Sequence, residues 1–216
     1  MRWLSSFLFA GLAVAAPTVT PVNGEFNALA ARDNTIEARQ STSVRVESIT
    51  ASGTGCPSGS YTTSLSPSRD VGTIAFRQYN AALPSPNSRA CTVTVTLTYP
   101  SGCTRGNFQG TNHGFAQVNS GVTGTYTTSY RSSTGNSANP PASTFSGPSW
   151  VNGNTFTKTD IAPGQVVNRS PNTARVTYTA TTQLNAGSGS GASLTVDDIS
   201  FRITNQSVNP DWQNCS

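Results

Sequence analysis

The stretch that decides the fold is Cys91-Thr-Val-Thr-Val-Thr-Leu-Thr-Tyr99-Pro-Ser-Gly102-Cys103. Its apolar side chains fall on odd positions from Val93 to Tyr99, and threonine fills the even positions between them. A strict period of two predicts a β-strand with one buried side and one side facing solvent. The Pro-Ser-Gly that follows is a turn signal, so we expect the strand to end near Tyr99. The flanking cysteines are typical of an exported, disulfide-linked β protein.

Period-two runs recur along the chain, whereas no segment longer than a few residues shows the 3.6-residue period of a helix. About ten short strands separated by Gly-, Pro-, Asn- and Ser-rich turns favour an antiparallel β-sandwich, jelly-roll or immunoglobulin-like; a closed barrel is the second choice. The predicted strands lie near 43–50, 59–65, 72–79, 91–99, 104–110, 113–119, 122–131, 154–160, 174–184 and 192–204.

The last predicted strand changes its parity. Leu194 and Val196 occupy even positions, whereas the apolar residues from Ile199 to Ile203 occupy odd ones. Both sets can face the core only if one extra residue is inserted between them, as in a β-bulge. We therefore place a bulge at Asp197-Asp198.

The first residues have the pattern of an export signal. Arg2 precedes an apolar run from Trp3 to Val14, and Ala13-Val-Ala15 is a small-residue cleavage site. The apolar run is shorter than the ~20 residues that span a bilayer, so we expect residues 1–15 to be a signal peptide and the protein to be extracellular, without membrane insertion. Cleavage after Ala16 is the alternative to cleavage after Ala15.

Residues 16–39 lack alternation and end in two tetrapeptides, Leu29-Ala-Ala-Arg32 and Ile36-Glu-Ala-Arg39. They are either a pro-segment, cleaved after Arg39 to expose Gln40, or a disordered tail.

Residues 40–216 are long enough for one domain with a substantial core, and we assign them to a single β-sandwich. This part has ten basic and six acidic residues, and its basic residues form no cluster. Nucleic-acid binding is therefore not expected, because it requires grouped Lys or Arg.

The four cysteines allow two disulfides in three connectivities. If residues 99–102 form a tight turn, Cys103 lies beside Thr98, and Cys91 is then more than ~20 Å away along the strand. A bridge needs Cα atoms within ~7 Å, so a Cys91–Cys103 pair is disfavoured. Counting strands as alternately up and down predicts Cys56–Cys91 and Cys103–Cys215.

Few residues are suited to catalysis or metal binding. His113 is the only histidine, and the chain has no Gly-x-Ser-x-Gly elbow, so a nucleophilic triad is not indicated. Asp197 and Asp198 are the only adjacent carboxylates. They are weak candidates for a calcium site or a glycosidase pair, and solvated acids at the bulge are the simpler interpretation. We expect no cofactor.

Aromatic residues could form a platform for sugar rings, although the same residues suit a sandwich core. Trp150, in a Gly-, Pro- and Asn-rich loop, and Tyr130 are the candidate ligand-binding residues. The other members of this aromatic set are Tyr126, Phe156 and Tyr178. Asn205 is the first candidate for N-glycosylation and Asn168 the second, because Pro171 follows the latter motif.

Several blocks in the same order resemble a family of small secreted fungal proteins known as domain of unknown function 4360. They are Gly53-Thr-Gly-Cys-Pro-Ser-Gly-Ser60, Phe76-Arg-Gln-Tyr79, Arg89-Ala-Cys91, Tyr99-Pro-Ser-Gly102, Gly114-Phe-Ala-Gln-Val-Asn-Ser-Gly-Val-Thr-Gly124 and Phe145-Ser-Gly-Pro148. The resemblance covers roughly 49–204 and implies a fungal source, secretion and a β-sandwich, with no catalytic residues to transfer. The family usually has its third cysteine in a later Trp-Ser-Pro-Cys-like segment. Here the matching region, Val167-Asn-Arg-Ser-Pro171, has none, and Cys103 is present instead.

These features favour a secreted, monomeric fungal protein that binds a partner without catalysis. The expected partner is a cell-wall polysaccharide or a host surface protein, and the role could be that of an effector. The alternative is a carbohydrate-active enzyme or carbohydrate-binding module. We expect recognition by the loops at 132–154 and 185–192, since loops on a rigid sandwich usually bind partners.

Overall fold

Twelve strands make up the described part of the computed structural model, which covers residues 44–98, 105–133, 135–167 and 173–204. None of these residues is helical, so no helix among them could cross a membrane. The strands are β1 (Arg45–Ser52), β2 (Tyr61–Leu65), β3 (Val71–Phe76), β4 (Asn80–Ala82), β5 (Ser88–Thr98), β6 (Arg105–Val118), β7 (Thr123–Ser132), β8 (Ser137–Ala138), β9 (Ser143–Ser146), β10 (Asn154–Val167), β11 (Thr173–Asn185) and β12 (Ala192–Thr204).

The strands form two antiparallel sheets that pack as a sandwich. The first sheet has the order β1-β5-β11-β7-β8, with β9 also paired to β7. The second has the order β10-β6-β12-β3-β2, with β4 also paired to β12. The six longest strands, from β5 to β12, alternate between the sheets along the chain. Each connection between them therefore crosses from one sheet to the other at an end of the sandwich.

The core follows the predicted alternation. In β5, Val93, Val95 and Leu97 are fully buried, and the threonines between them lie on the outer side. From the second sheet, Phe201 stacks on Phe108 with ring centroids 5.4 Å apart and meets Tyr178 edge-on. Aromatic rings thus fill the space between the sheets, where their large apolar area is removed from water.

The predicted bulge in β12 is confirmed. The register between β12 and β6 shifts between Val196 and Asp198. Leu194, Val196, Ile199 and Phe201 are all buried despite the change of parity, and Ile203 is partly buried against the core.

Strand β6 differs from the prediction, because the break expected between 110 and 113 is absent and one strand runs from Arg105 to Val118. Its core-facing positions include Gly110 and Gly114 instead of large apolar residues. A Cβ at Gly110 would lie 2.7 Å from the Tyr130 hydroxyl, and one at Gly114 would lie 2.2 Å from the Thr195 carbonyl oxygen and 2.7 Å from the Phe156 ring. The glycines make room for aromatic side chains and, at Gly114, also for the backbone of β12, so they are packing positions.

One disulfide joins the loop after β1 to β5. Cys56 and Cys91 are bonded with Cα atoms 5.4 Å apart, and both are fully buried. This is one of the two predicted pairs. The other, Cys103–Cys215, lies outside the described residues, as do the expected leader and the segment at 16–39.

Candidate functional site

Four connections meet at one end of the sandwich, which we call the loop end: residues 83–87, 119–122, 147–153 and 186–191. Hydrogen bonds tie them together. The Asn119 side-chain amide donates to the Ser190 carbonyl at 2.8 Å, and the Val118 amide donates to the Trp150 carbonyl at 2.9 Å. The Leu83 amide donates to the Ala192 carbonyl at 3.0 Å. Parts of the two predicted recognition loops therefore lie together, with 119–122 beside them.

The Gly- and Ser-rich sequence allows these loops to approach closely. Gly121 has a φ of +78°, which side chains other than glycine rarely adopt, and a Cβ there would lie 2.7 Å from the Ser188 Oγ. A Cβ at Gly189 would lie 2.3 Å from the Ser120 carbonyl oxygen. A Gly- and Ser-rich sequence usually suggests a flexible loop. Here the same small residues are needed because the loops pack closely against one another.

A depression of about 270 Å³ opens beside the loop end. Its lining is Gln117, Asn119, Gly191, Ala192 and Ser193. The four loop segments contain no charged residue. Amide and hydroxyl groups both donate and accept hydrogen bonds, so this surface can bind hydroxyl-rich neutral molecules.

Of the two predicted ligand-binding aromatics, only Trp150 lies at the loop end. Trp150 is half-buried and packs edge-on against Phe145, with centroids 4.8 Å apart. Tyr130 does not support the prediction, because it is 1% exposed and lies in the core between Phe108 and Tyr178. The rest of the predicted aromatic set, Tyr126, Phe156 and Tyr178, is also buried.

The predicted bulge acids lie on the outer side of the second sheet. Asp198 is opposite His113 in the register, and its Oδ1 is 2.9 Å from the His113 Nδ1. Asp197 is exposed. Among the described residues, no group of three His, Cys, Asp or Glu side chains could hold a metal ion. The glycosylation candidates Asn168 and Asn205 lie outside the described residues.

A second polar feature lies inside the sandwich, and the sequence analysis missed it. We call it the buried polar cluster. Its members face the core from both sheets and are almost inaccessible to water: Asn112, Tyr126, Thr128, Lys158, Asp160 and Tyr178.

The members of the buried polar cluster bind one another through hydrogen bonds and an ion pair. The hydroxyls of Tyr126 and Tyr178 both donate to Asn112 Oδ1, at 2.8 and 2.5 Å. The Lys158 ammonium pairs with Asp160 Oδ1, and Thr128 donates to Asp160 Oδ2 at 2.7 Å. These bonds connect strands of both sheets and satisfy polar groups that would be costly to bury alone.

Burial further disfavours ionisation of the tyrosines. It raises the pKa of Tyr126 and of Tyr178 well above the ordinary value, because the charged phenolate would be poorly solvated. The same cause raises the pKa of Tyr79, whose hydroxyl donates to the Ala180 carbonyl at 2.6 Å. The tyrosines facing Asn112 therefore remain protonated donors over the physiological pH range.

The signal for this cluster is present in the sequence. Thr155, Thr157 and Thr159 share one parity of β10, so the other parity, with Phe156, Lys158 and Asp160, must face inward. A lysine and an aspartate at core parity predict a paired, buried site.

A family model matches residues 42–215, and its description is domain of unknown function, DUF4360. The chain belongs to this family. Among the relatives of this DUF4360 member is an uncharacterized secreted protein of Arthroderma benhamiae, 31% identical over 110 residues. The match covers 49% of this chain and 45% of that relative, so less than half of the relative's length is represented. The protein is secreted, as the sequence predicts.

Solved structures with some likeness to this DUF4360 member include two carbohydrate-binding modules. One is TmCBM61 in complex with β-1,4-galactotriose, at 13% identity and a TM-score of 0.32, covering 74% of this chain and 90% of that one. The other is a mutant form of a family 29 module, at 13% identity and a TM-score of 0.24, covering 76% and 99%. Likeness at this level indicates neither a ligand nor an activity.

Proposed function

We propose that this DUF4360 member is a non-catalytic extracellular binding protein that recognises a neutral polysaccharide of the cell wall or host surface. The observation that carries the proposal is the uncharged loop end with its amide- and hydroxyl-lined depression. In this proposal the protein acts as a monomer, and its sandwich is of the jelly-roll type. An effector role during colonisation would follow from binding at the host surface.

The chemistry of the loop end suits a sugar better than an ionic ligand. Side chains such as Gln117 and Asn119 offer both donors and acceptors at short range, which matches sugar hydroxyls. A charged ligand would lose its hydration without gaining an opposite charge, since the four loop segments carry none. Trp150 lies in the loop segment 147–153, where its half-buried indole packs edge-on against Phe145, so the exposed part of the ring adds apolar surface to the loop end.

The described carboxylates give little support to hydrolysis. A glycosidase needs two carboxyl groups ~5–9.5 Å apart across a bound sugar. Glu47 pairs with Arg69, Asp70 accepts hydrogen bonds from two serines, and Asp160 is buried. Asp197 and Asp198 are adjacent, but they lie on the outer side of a sheet and not in the depression. Binding is therefore the simpler function.

The test is a depletion assay on the secreted protein with insoluble chitin, β-glucan and cellulose, and with anionic pectin. We expect saturable binding to at least one neutral polymer. Trp150→Ala should weaken it by ~10-fold or more, as for a central aromatic contact. Asn119→Ala should weaken it by ~2–10-fold, the equivalent of one hydrogen bond.

Thr127→Ala is the matched control, because Thr127 is exposed on the outer side of the first sheet, away from the loop end. Its binding should equal that of the wild type, and thermal melting should show that all variants are folded. Equal binding by all three variants would show that the polysaccharide does not bind at the loop end. Turnover of a polysaccharide or peptide that is abolished by Asp197→Asn with Asp198→Asn would instead establish an enzyme.

A further inference from the structure

The chain has a single lysine, and it is buried. Of the thirteen basic residues in the sequence, all except Lys158 are arginines. Lys158 is 8% exposed and faces the core from β10, beside Asp160 at 6%. A buried ion pair is often no more stable than apolar residues of similar volume, because both ions lose their hydration. Stability alone therefore does not explain this lysine.

Lys158 lies directly opposite Asn112 in the register of β10 and β6, and both side chains face the core. Opposite residues of an antiparallel pair have Cβ atoms ~4.5–5.5 Å apart. The Asn112 side-chain amide also donates to the Lys158 carbonyl at 3.0 Å. Rotation of the long lysine side chain is therefore enough to bring its Nζ to the Asn112 carboxamide.

The surroundings of Asn112 are those of an activated carbonyl. Two tyrosine hydroxyls donate to its Oδ1, and donors at a carbonyl oxygen stabilise the negative charge that develops there when a nucleophile adds. On the other side, Asp160 contacts the lysine Nζ and is positioned to exchange a proton with it. Nucleophile, polarised carbonyl and acid–base group are thus assembled in one water-excluded space.

We propose that Lys158 and Asn112 form an intramolecular amide bond. Asp160 accepts a proton from the lysine ammonium, and the free amine adds to Asn112 Cγ. The tetrahedral intermediate is held by the hydroxyls of Tyr126 and Tyr178. Asp160 then gives this proton to the departing Nδ2, takes the second excess proton from the Nζ as the amide forms, and passes it to the ammonia. The Nζ–Cγ bond forms, the Cγ–Nδ2 bond breaks, the ammonia leaves as ammonium, and no oxidant or reductant is needed.

The bond would fix an edge of the sandwich. Among the described strands, β10 is at the end of the second sheet and pairs there with β6 alone. Edge strands are the least constrained part of a sheet. A covalent link from Lys158 to Asn112 joins β10 to β6 at its middle and replaces a buried charge with a neutral amide.

Peptide mapping of the secreted protein tests this proposal. After denaturation, reduction and glycan removal, trypsin should leave the segment 132–169 uncut at Lys158 and linked to the segment 106–131. The linked species should weigh one ammonia less than the sum of its two peptides. The map is needed because an N-terminal Gln40 can also lose ammonia, so the intact mass alone is not diagnostic.

Amine labelling provides a second measurement. In the unfolded wild-type protein, Lys158 should resist an amine-reactive reagent, because its Nζ is already acylated. Asp160→Asn should slow bond formation by ~10²-fold or more, as expected for loss of a general acid–base group. Asp197→Asn is the matched control and should leave the linkage complete.

Three outcomes overturn the proposal. Cleavage after Lys158 with full labelling of its amine in the wild type shows that there is no bond. If the peptide 132–169 has instead lost one water and is not linked to 106–131, the amide joins Lys158 to Asp160 and not to Asn112. Linkage that forms as fast in a folded Asp160→Asn variant as in the wild type removes the acid–base role. If that variant does not fold, the wild-type map alone decides.

Discussion

The loop end and the buried polar cluster place polar groups in opposite environments. The loop end faces water and has no charged residue in its four segments, whereas the cluster is almost dry and contains Lys158 and Asp160. Most soluble proteins do the reverse, with charges outside and neutral groups within. The comparison separates two uses of polarity: exposed neutral groups that can exchange water for a ligand, and buried groups held in one fixed geometry.

The cluster should be the more sensitive of the two regions. Asp160→Ala leaves Lys158 without its partner in the core, and breaking a buried pair in this way costs ~3–5 kcal/mol. Urea unfolding measures the change. Asp197→Ala, at an exposed position, should stay within ~0.5 kcal/mol of the wild type. Similar small losses in both variants would show that the cluster is not a dry, paired site.

Replacing a glycine at the loop end should destabilise the protein less than replacing Asp160 does. Gly121→Ala places a Cβ at a positive φ and against Ser188, which should cost ~1–2 kcal/mol from the backbone alone. Because the turn also positions Asn119, polysaccharide binding should fall together with stability. Gly135→Ala is the control: its φ is also positive, but no atom lies within 4 Å of the added Cβ. Its stability loss should be similar, with binding unchanged. If both variants lose polysaccharide binding, the loss does not depend on the structure of the loop end.

The architecture could be predicted because it depends on local alternation. The pattern at 91–99 and the parity change at Asp197-Asp198 led to a correct strand and a correct bulge. The sequence predicts two strands, 104–110 and 113–119, where the structure has the single strand β6 with Gly110 and Gly114 at core-facing positions. Only the packing of the folded protein, with Tyr130 from the opposite sheet against Gly110 and Phe156 from the neighbouring strand β10 against Gly114, shows why small residues are needed there.

The candidate sites were harder to predict from the sequence than the strands were. Trp150 could be selected because it lies in a loop, but Tyr130 alternates like any strand residue, and its burial depends on Phe108 and Tyr178 from distant segments. The contact of 119–122 with 186–191 depends on strand order, which alternation does not specify. The parity of Lys158 was readable, but its position opposite Asn112 required the register of β10 on β6.

The smallest expected effect is a pH dependence at Asp70. Hydrogen bonds from Ser66 and Ser68 hold the pKa of this exposed carboxyl below its ordinary value of 3.8. Ionised Asp70 therefore stabilises the folded state above that pH, and the contribution is lost as the pH falls through the lowered folded-state pKa. Asp70→Asn should lower the melting temperature slightly at neutral pH and leave it unchanged near ~pH 2. A difference of equal size at both pH values would contradict the assignment.

The dependence of polysaccharide binding on salt tests the central claim most directly. Raising the salt concentration from ~0.1 M to ~1 M shortens the Debye length from ~10 Å to ~3 Å and so weakens attraction between exposed charges. If recognition uses the uncharged loop end, the dissociation constant for the neutral polymer should change by less than about twofold. Weakening by tenfold or more, together with preferential binding to pectin, would show that the surface arginines drive adhesion and would contradict recognition by the loop end.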